Sequence, residues 1–141
     1  MSADKREPKP RPVPVPDPES APYWAAVGEG RLLVQWCPRC GNHQLYPRPH
    51  CIRCRGPVEW VEASGRGTVY SYTVIRQNFS RSFRHLIPYV VALVDLEEGP
   101  RLMTNITGCE PADVSIGMPV RVTFERVTDE ASLPLFERLA D

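Results

Sequence analysis

The chain has 141 residues, of which 42% are apolar and 24% charged, enough for about one domain with a modest core. Seventeen basic and seventeen acidic side chains give a formal net charge of zero. No apolar run approaches the ~18–20 residues of a membrane span, and the N-terminus lacks the apolar core of a secretory signal. These features exclude a membrane protein, a long coiled coil and a large enzyme with its own cofactor domain. We expect a cytoplasmic location.

The charges are unevenly distributed along the chain. Residues 31–84 carry nine arginines against two glutamates, a balance of +7, whereas residues 85–141 have a balance of −6. A basic half favours an anionic ligand or partner, and the planar fork of arginine suits phosphate and carboxylate groups. Arginine-rich usage can equally reflect genome composition.

Residues 1–16 form a proline-rich arm. Alternating prolines deny helices and sheets their hydrogen-bond donors and favour an extended polyproline II conformation. The arm suits a tether or a strap that wraps a partner. We expect it to be disordered unless a partner orders it.

The segment that follows, residues 17–29, predicts a short helix. Asp17 can cap a first turn, and Pro22 restarts the helix rather than continuing it. Tyr23, Trp24 and Val27 then share one broad face. This face docks either on the chain's own domain or in a groove of a partner.

Two cysteine pairs form the most specific motif of the sequence. Cys37 and Cys40 are separated by two residues, as are Cys51 and Cys54, and ten residues lie between the pairs. Two thiolates on one tight turn can reach a tetrahedral Zn²⁺ at about 2.3 Å, and two such turns supply all four ligands. The spacing predicts a zinc ribbon whose closed site is structural rather than catalytic.

The residues around the cysteine pairs support a ribbon. Gly41 follows the first pair directly and Gly56 lies two residues after the second, where a tight turn often needs a positive φ. Flanking strands are predicted at Leu32–Trp36, Gln44–Tyr46 and Val58–Val61. The three predicted regions of the chain are residues 1–30, 31–62 and 63–141.

Other roles for the cysteines and histidines can be ranked. Disulfides are disfavoured without a secretion signal, and a thioredoxin-like redox motif needs a single pair opening a helix. Iron in a rubredoxin-like site stays geometrically possible. We interpret His43 and His50 as neighbours of the site rather than ligands, and Cys109 as a free thiol.

The second half of the chain predicts a small β-barrel. Its segments are rich in β-branched, aliphatic and aromatic residues and are separated by turn signals. Five short strands fit a closed barrel of the OB type better than a sandwich. The fold class is therefore mainly β, with an N-terminal helical segment, a rubredoxin-like zinc ribbon and a five-stranded OB-fold barrel. The predicted strands are Gly67–Ile75, Tyr89–Leu96, Arg101–Thr107, Pro119–Val127 and Leu133–Leu139, and Glu110–Val114 adds a helical turn.

A 13-residue connection, Arg76–Pro88, joins the first two barrel strands. Long ordered loops are often functional. This loop mixes aromatic and basic side chains, which suits a flat ligand with phosphates, a nucleic-acid strand or a protein partner, or a hairpin that folds back on the barrel. The chain has no nucleophile elbow, HExxH motif, phosphate loop or dinucleotide fingerprint. The candidate residues of the loop are Phe79, Arg81, Phe83, Arg84 and His85.

Four stretches carry a resemblance to a known family. They are CPRCG…CIRC, EWVEASGRGTVYSYTV, PYVVALVDLEEGPRL and IGMPVRVTFE. Their order resembles the family catalogued as domain of unknown function 35, whose members combine a helical segment, a rubredoxin-like zinc ribbon and an OB-fold. The resemblance runs from about Tyr23 to Phe124 and includes all four paired cysteines.

The resemblance implies a non-catalytic subunit that binds a thiolase-superfamily enzyme acting on acyl-CoA, such as a thiolase, an acyltransferase or a lipid-transfer-protein-like aldolase of steroid side-chain or lipid degradation. The implied partner is that enzyme, with acyl-CoA at or near the interface and structural Zn²⁺ in the ribbon. Because the helix is short and aromatic and the loop is long and rich in arginine, we expect the helix with Tyr23, Trp24 and Val27, together with the ribbon, at the partner interface and the loop near the substrate. The chain alone is expected to lack turnover.

An alternative function is single-stranded nucleic-acid binding. An OB-fold, a zinc ribbon and an arginine–aromatic loop are also the components of such proteins. The −6 balance of the barrel half disfavours this function, and no predicted strand alternates arginine and aromatic residues on one face.

Overall fold

The structure, a computed structural model, describes residues 8–139 and is mainly β. Three strands form a ribbon sheet in the order β2-β1-β3, and five form a closed barrel in the order β4-β5-β6-β8-β7. Within the described residues, no helix combines the length and apolar character needed to cross a membrane. The elements are α1 (Ala21–Gly28), β1 (Leu33–Trp36), β2 (His43–Gln44), β3 (Glu59–Glu62), β4 (Arg66–Ile75), β5 (Tyr89–Leu96), β6 (Arg101–Thr107), β7 (Pro119–Arg126) and β8 (Ser132–Arg138), with single 3-10 turns at Arg84–Leu86 and Pro111–Asp113.

Helix α1 is the helix that the sequence predicts, and it begins at Ala21, next to the Pro22 at which a restart is predicted after the turn capped by Asp17. The backbone N–H of Ser20 donates a 2.7 Å hydrogen bond to the Asp17 carboxylate, which forms a separate turn before the helix. Tyr23 is 6% exposed and Val27 1% exposed, and both pack in the chain's own core. These two side chains are therefore part of the chain's own core. Of the three residues predicted at the partner interface, Trp24 remains the candidate.

The barrel closes because its last strand, β8, bridges two others. It runs antiparallel to β7 and parallel to β6, where Ile106 lies opposite Phe136. Alternate residues of β5 point inward, as the period of a half-buried strand requires. Phe136 is completely buried at the centre of this core. The barrel therefore has the topology expected of an OB-fold.

Residues 9–11 of the N-terminal arm form polar contacts with the barrel and its loop. The backbone N–H of Lys9 donates to the carbonyl of Arg81 at 3.0 Å, and the Ser82 hydroxyl donates to the carbonyl of Pro10 at 3.0 Å. Arg11 also forms an ion pair with Glu125 on β7. The expectation of a disordered arm is thus wrong for this stretch, because polar groups of the barrel loop supply its partners. Residues 1–7 lie outside the described part.

Candidate metal centre and barrel loop

The two cysteine pairs sit on turns with the same backbone pattern. In the first turn the N–H of Gly41 donates to the carbonyl of Cys37 at 2.7 Å, and in the second the N–H of Arg55 donates to the carbonyl of Cys51 at 2.9 Å. Gly41 and Arg55 are therefore equivalent positions of the two turns.

This equivalence corrects one sequence expectation about the glycines. Gly41 has φ +80° as expected, but in the second turn the positive φ falls on Arg55, at +65°, and not on Gly56. Gly56 is required for another reason. A Cβ atom there would lie 3.0 Å from Cδ of Arg39 and 3.1 Å from Sγ of Cys54, so the glycine lets the two turns approach each other.

The four predicted sulfur atoms lie together. Sγ of Cys37 is 3.5 Å from Sγ of Cys54, and Sγ of Cys40 is 3.6 Å from Sγ of Cys51. All four atoms are within 4.8 Å of one another. Tetrahedral Zn–S bonds of about 2.3 Å place sulfurs about 3.8 Å apart, whereas a disulfide needs about 2.05 Å. The donor set therefore fits a tetrahedral metal ion and not a pair of disulfides.

The protein environment shifts the pKa values of Cys51 and Cys40 in opposite directions. Burial disfavours the thiolate of Cys51, but the backbone N–H groups of Cys54 and Arg53 and the adjacent thiols lower its pKa to about 6. A hydrogen bond from the backbone N–H of Asn42 lowers the pKa of Cys40. Burial and hydrogen bonds to the other three thiols outweigh it, so the pKa of Cys40 is raised. Thiolates are the form that binds a metal, so the hydrogen bonds around Cys51 prepare that ligand.

Two buried glutamines support the second turn, and sequence reasoning missed them. Gln35 on β1 is 4% exposed and Gln44 on β2 is 3% exposed. Gln44 accepts a hydrogen bond from the N–H of Ile52 at 2.9 Å and donates one to the carbonyl of His50 at 3.1 Å. The only sequence signal was a glutamine inside each of the predicted strands Leu32–Trp36 and Gln44–Tyr46.

The histidines stay apart from the cysteine cluster. Within residues 8–139, the group of side chains suited to a metal consists of the four cysteines. His50 contributes its backbone carbonyl to Gln44, and His43 pairs with Trp36 across the ribbon sheet. Cys109 is half-buried and lines a separate cavity in the barrel. This arrangement agrees with the interpretation of both histidines as neighbours and of Cys109 as a free thiol.

The loop Arg76–Pro88 covers a cavity of about 250 Å³ at one end of the barrel. Phe83 is half-buried and lies 6.2 Å from the ring of Tyr89, centroid to centroid. Phe79, in contrast, is 78% exposed. The guanidinium of Arg84 donates to the carbonyl of Phe79 at 2.8 Å, so the loop holds its own shape. The cavity is lined by Arg11, Phe83, Leu86, Val90, Ile106, Leu135 and neighbouring residues.

Arg81 and His85 both lie beside the N-terminal arm. Arg81 is half-buried, and its carbonyl accepts the N–H of Lys9 from the arm. His85 is exposed and borders a second depression, which is also lined by arm residues 8–11 and Val13. The five candidate residues of the loop thus do not converge on one point: Phe83 faces the cavity, while Phe79, Arg84 and His85 are exposed.

Trp24 lies beside an apolar groove of about 420 Å³ between α1, the ribbon and the barrel. Its ring meets the ring of Tyr23 edge-on at 5.1 Å between centroids. Across the groove, the hydroxyl of Tyr46 accepts the backbone N–H of Met103 at 2.8 Å. Met103 is 62% exposed and Tyr46 50% exposed, so the groove is open to solvent on the side of these residues.

A four-cysteine ribbon joined to a five-stranded OB barrel defines a class of two-module proteins. Two family models match this chain: the rubredoxin-like zinc ribbon domain of ChsH2 over residues 24–60, and the C-terminal OB-fold domain of ChsH2 over residues 60–125. A DUF35 domain-containing scaffold protein of Methanocaldococcus jannaschii is 38% identical over 110 residues, which cover 76% of this chain and 77% of that protein. The chain belongs to this DUF35 family of zinc-ribbon and OB-fold proteins.

Two further relatives are subunits of hydratases. A probable enoyl-CoA hydratase alpha subunit of Thermomonospora curvata is 41% identical over 120 residues, covering 84% of this chain and 37% of the relative. The 3-oxo-4,17-pregnadiene-20-carboxyl-CoA hydratase alpha subunit of Mycobacterium tuberculosis is 34% identical over 122 residues, which cover 86% of this chain and 38% of the relative. The chain therefore spans less than two fifths of the length of these two relatives.

One solved structure matches nearly the whole fold. It is a chain of the Ltp2-ChsH2(DUF35) aldolase, with a TM-score of 0.80 and 38% identity, and the match covers 89% of this chain and 98% of that chain.

Proposed function

We propose that this chain is a non-catalytic scaffold subunit that binds and supports a thiolase-superfamily enzyme acting on an acyl-CoA. The observation that carries the proposal is the match to the DUF35 chain of an aldolase complex over 98% of that chain's length. The steroid acyl-CoA in the name of the Mycobacterium tuberculosis relative favours steroid side-chain or lipid degradation as the setting.

The metal centre suits a structural role in this proposal. Cys37, Cys40, Cys51 and Cys54 would hold one Zn²⁺ with four protein ligands, which leaves no open position for a substrate or water. The ion would supply the cross-link that a ribbon of about 30 residues needs, because so small a module buries too little apolar surface to fold by itself.

We assign one surface of the chain to binding of the partner enzyme and another to contact with its substrate. Trp24 and the groove beside it would receive the partner enzyme, since tryptophan is among the most frequent anchors of protein interfaces. The loop that contains Phe83 would approach the acyl-CoA entrance of the partner, because its aromatic and basic side chains suit an acyl group and phosphates.

Isolation of the native complex tests this function. The tagged chain, expressed at its natural level in its own host, should retain a thiolase-superfamily subunit in stoichiometric amount, identified by mass spectrometry. The reconstituted pair should turn over an acyl-CoA substrate while the isolated chain does not. Robust turnover by the isolated chain, or recovery of the chain without any such subunit, would contradict the proposal.

One observation favours the nucleic-acid alternative. Tyr70 and Tyr72 are 48% and 36% exposed on β4, and the guanidinium of Arg101 lies 3.3 Å from the centroid of the Tyr70 ring. Aromatic rings beside arginine can stack bases. However, Asp95 already binds Arg101 at 2.6 Å and 3.2 Å, which offsets the charge a phosphate would need. Protein purified with a raised ratio of 260 nm to 280 nm absorbance would support this alternative.

A further inference from the structure

The two cysteine turns carry a concentrated positive charge. Residues 37–56 contain four arginines and no acidic residue. Four thiolates around a divalent ion carry a net charge of −2, so the segment keeps a balance of +2 even when the metal centre is loaded. We define the exposed part of the turns, Arg39, Ile52, Arg53 and Arg55, as the knuckle surface.

The arginines of the knuckle surface lack counter-charges of their own. The ion pairs found within residues 8–139 involve Arg11, Arg31, Arg101 and Arg121, and none of them includes a residue of the knuckle surface. Some exposed arginines elsewhere do form ion pairs, as Arg101 does with Asp95. The knuckle arginines are therefore available to carboxylates of another molecule.

The backbone shows that Arg55 occupies a position that favours glycine. Its φ of +65° lies in the left-handed region, and it is the one non-glycine residue with a positive φ among those described. The equivalent position of the first turn is Gly41. A side chain in this region costs conformational free energy that glycine would avoid. The second turn thus carries a guanidinium where the fold itself would be served better by glycine.

The side chain of Arg39 brings the charge of the first turn next to the second. Its Cβ and Cδ lie 3.4 Å and 3.0 Å from the point where a Cβ of Gly56 would stand. The stem of Arg39 therefore crosses from the first turn onto the second, which bears Arg53 and Arg55. Ile52, between the cysteines of that turn, is 68% exposed and adds an apolar contact to the basic surface.

We propose that the knuckle surface is a docking site for an acidic face of the partner enzyme subunit. This inference rests on the proposed function and names a second contact with that partner, separate from the groove at Trp24. Arginine is enriched in protein interfaces, and charge complementarity speeds and orients association. A nucleic-acid strand fits less well, because the knuckle surface contains no aromatic side chain on which bases could stack.

The test compares substitutions on and off the surface in the complex of the full chain with its purified thiolase-superfamily subunit. Arg53→Glu should raise the dissociation constant of the complex about tenfold or more at 50 mM salt. The affinity of this variant should also depend less steeply on salt than that of the wild type. Arg126→Glu on β7 makes the same charge change at another exposed position. The dissociation constant of this control should stay within about twofold of the wild-type value.

Arg55→Gly separates a docking role from a structural one. Because glycine removes the backbone strain, this variant should have a thermal midpoint equal to or higher than that of the wild type while its affinity for the partner falls several-fold. If Arg55 instead had a structural role, the Arg55→Gly variant would have a lower thermal midpoint than the wild type. Affinities of Arg53→Glu and Arg55→Gly equal to the wild type would overturn the inference and leave the proposed function standing.

The remaining outcomes are also decisive. Loss of binding to a fluorescent single-stranded oligonucleotide in Arg53→Glu, with the protein complex unaffected, would assign the surface to nucleic acid and overturn the inference. A wild-type chain that forms no complex with any thiolase-superfamily subunit would overturn the proposed function and this docking site with it.

Discussion

The side-chain amide of Gln44 donates a 2.9 Å hydrogen bond to the side-chain oxygen of Gln35, directly across the ribbon sheet. Gln35 in turn accepts the N–H of Arg48 and donates to its carbonyl, both at 2.9 Å. The segment from Arg48 to Ile52 has no regular strand, so these side chains replace the backbone partners that a strand would provide. The glutamine pair therefore holds the second cysteine turn in place.

Replacement of Gln44 by leucine should destabilise the ribbon by about 2 kcal/mol, because the N–H of Ile52 and the carbonyl of His50 would lose buried partners. Since folding of the ribbon is coupled to metal binding, the affinity for zinc should fall about 30-fold in a chelator competition. Gln77→Leu, the same change at an exposed position, should leave the affinity unaltered. Equal affinities for the two variants would show that the glutamine pair does not support the site.

Substitution of Cys37 by serine should abolish stoichiometric metal and unfold the ribbon, because three thiolates leave the ion short of one ligand in a module too small to fold without it. Elemental analysis of fresh wild-type protein should give about one equivalent of zinc per chain, and iron in its place would indicate the rubredoxin-like alternative. Cys109→Ser should keep both metal and thermal midpoint, since Cys109 lies at the barrel cavity.

Truncation of Trp24 to alanine should weaken assembly with the partner enzyme by about 2 kcal/mol, or roughly 30-fold in the dissociation constant, if the tryptophan is an interface anchor. The thermal midpoint of the free chain should be recorded alongside, because Trp24 also touches Tyr23. Ile116→Ala removes a more exposed apolar side chain elsewhere, 71% exposed where Trp24 is half-buried, and should not affect assembly. An unchanged complex with Trp24→Ala would assign this residue to the chain's own core.

Phe83→Ala should leave assembly intact and lower the activity of the complex on a bulky acyl-CoA by about tenfold, because an apolar wall beside the acyl group is removed. The same variant should act on acetyl-CoA at close to the wild-type rate, since a two-carbon acyl group is too short to need that wall. Full activity on the bulky substrate would mean that the loop serves only to cover the barrel cavity over Tyr89.

The features that the sequence predicted well are those with a local cause. The cysteine pairs lie on two tight turns, and the spacing within a turn already determines which sulfurs can share a metal. The strand predicted at Tyr89–Leu96 from its apolar and β-branched residues is β5, with the same bounds. Strand bounds shifted by only a residue or two, as with β3 at Glu59–Glu62 rather than Val58–Val61.

The features that the sequence missed depend on residues far apart in the chain. Tyr23 and Val27 on α1 are buried in the chain's own core, whereas the sequence left docking on the chain's own domain and docking in a partner groove both open. The arm is ordered by loop residues such as Ser82, 72 positions away from Pro10. The positive φ of Arg55 follows from the closure of the turn around the cysteine cluster, and the nearby glycine pointed to the wrong position.

The position of β8 has a consequence for the order in which the chain assembles on the ribosome. The cysteine turns emerge early and can take up a metal ion while the barrel is still incomplete, because their contacts are local. The barrel cannot close until Ser132–Arg138 is available, since that strand joins β6 to β7. Until then both neighbouring strands present unpaired edges, which are prone to aggregate. A nascent chain that stalls before β8 would therefore be the form most in need of a chaperone.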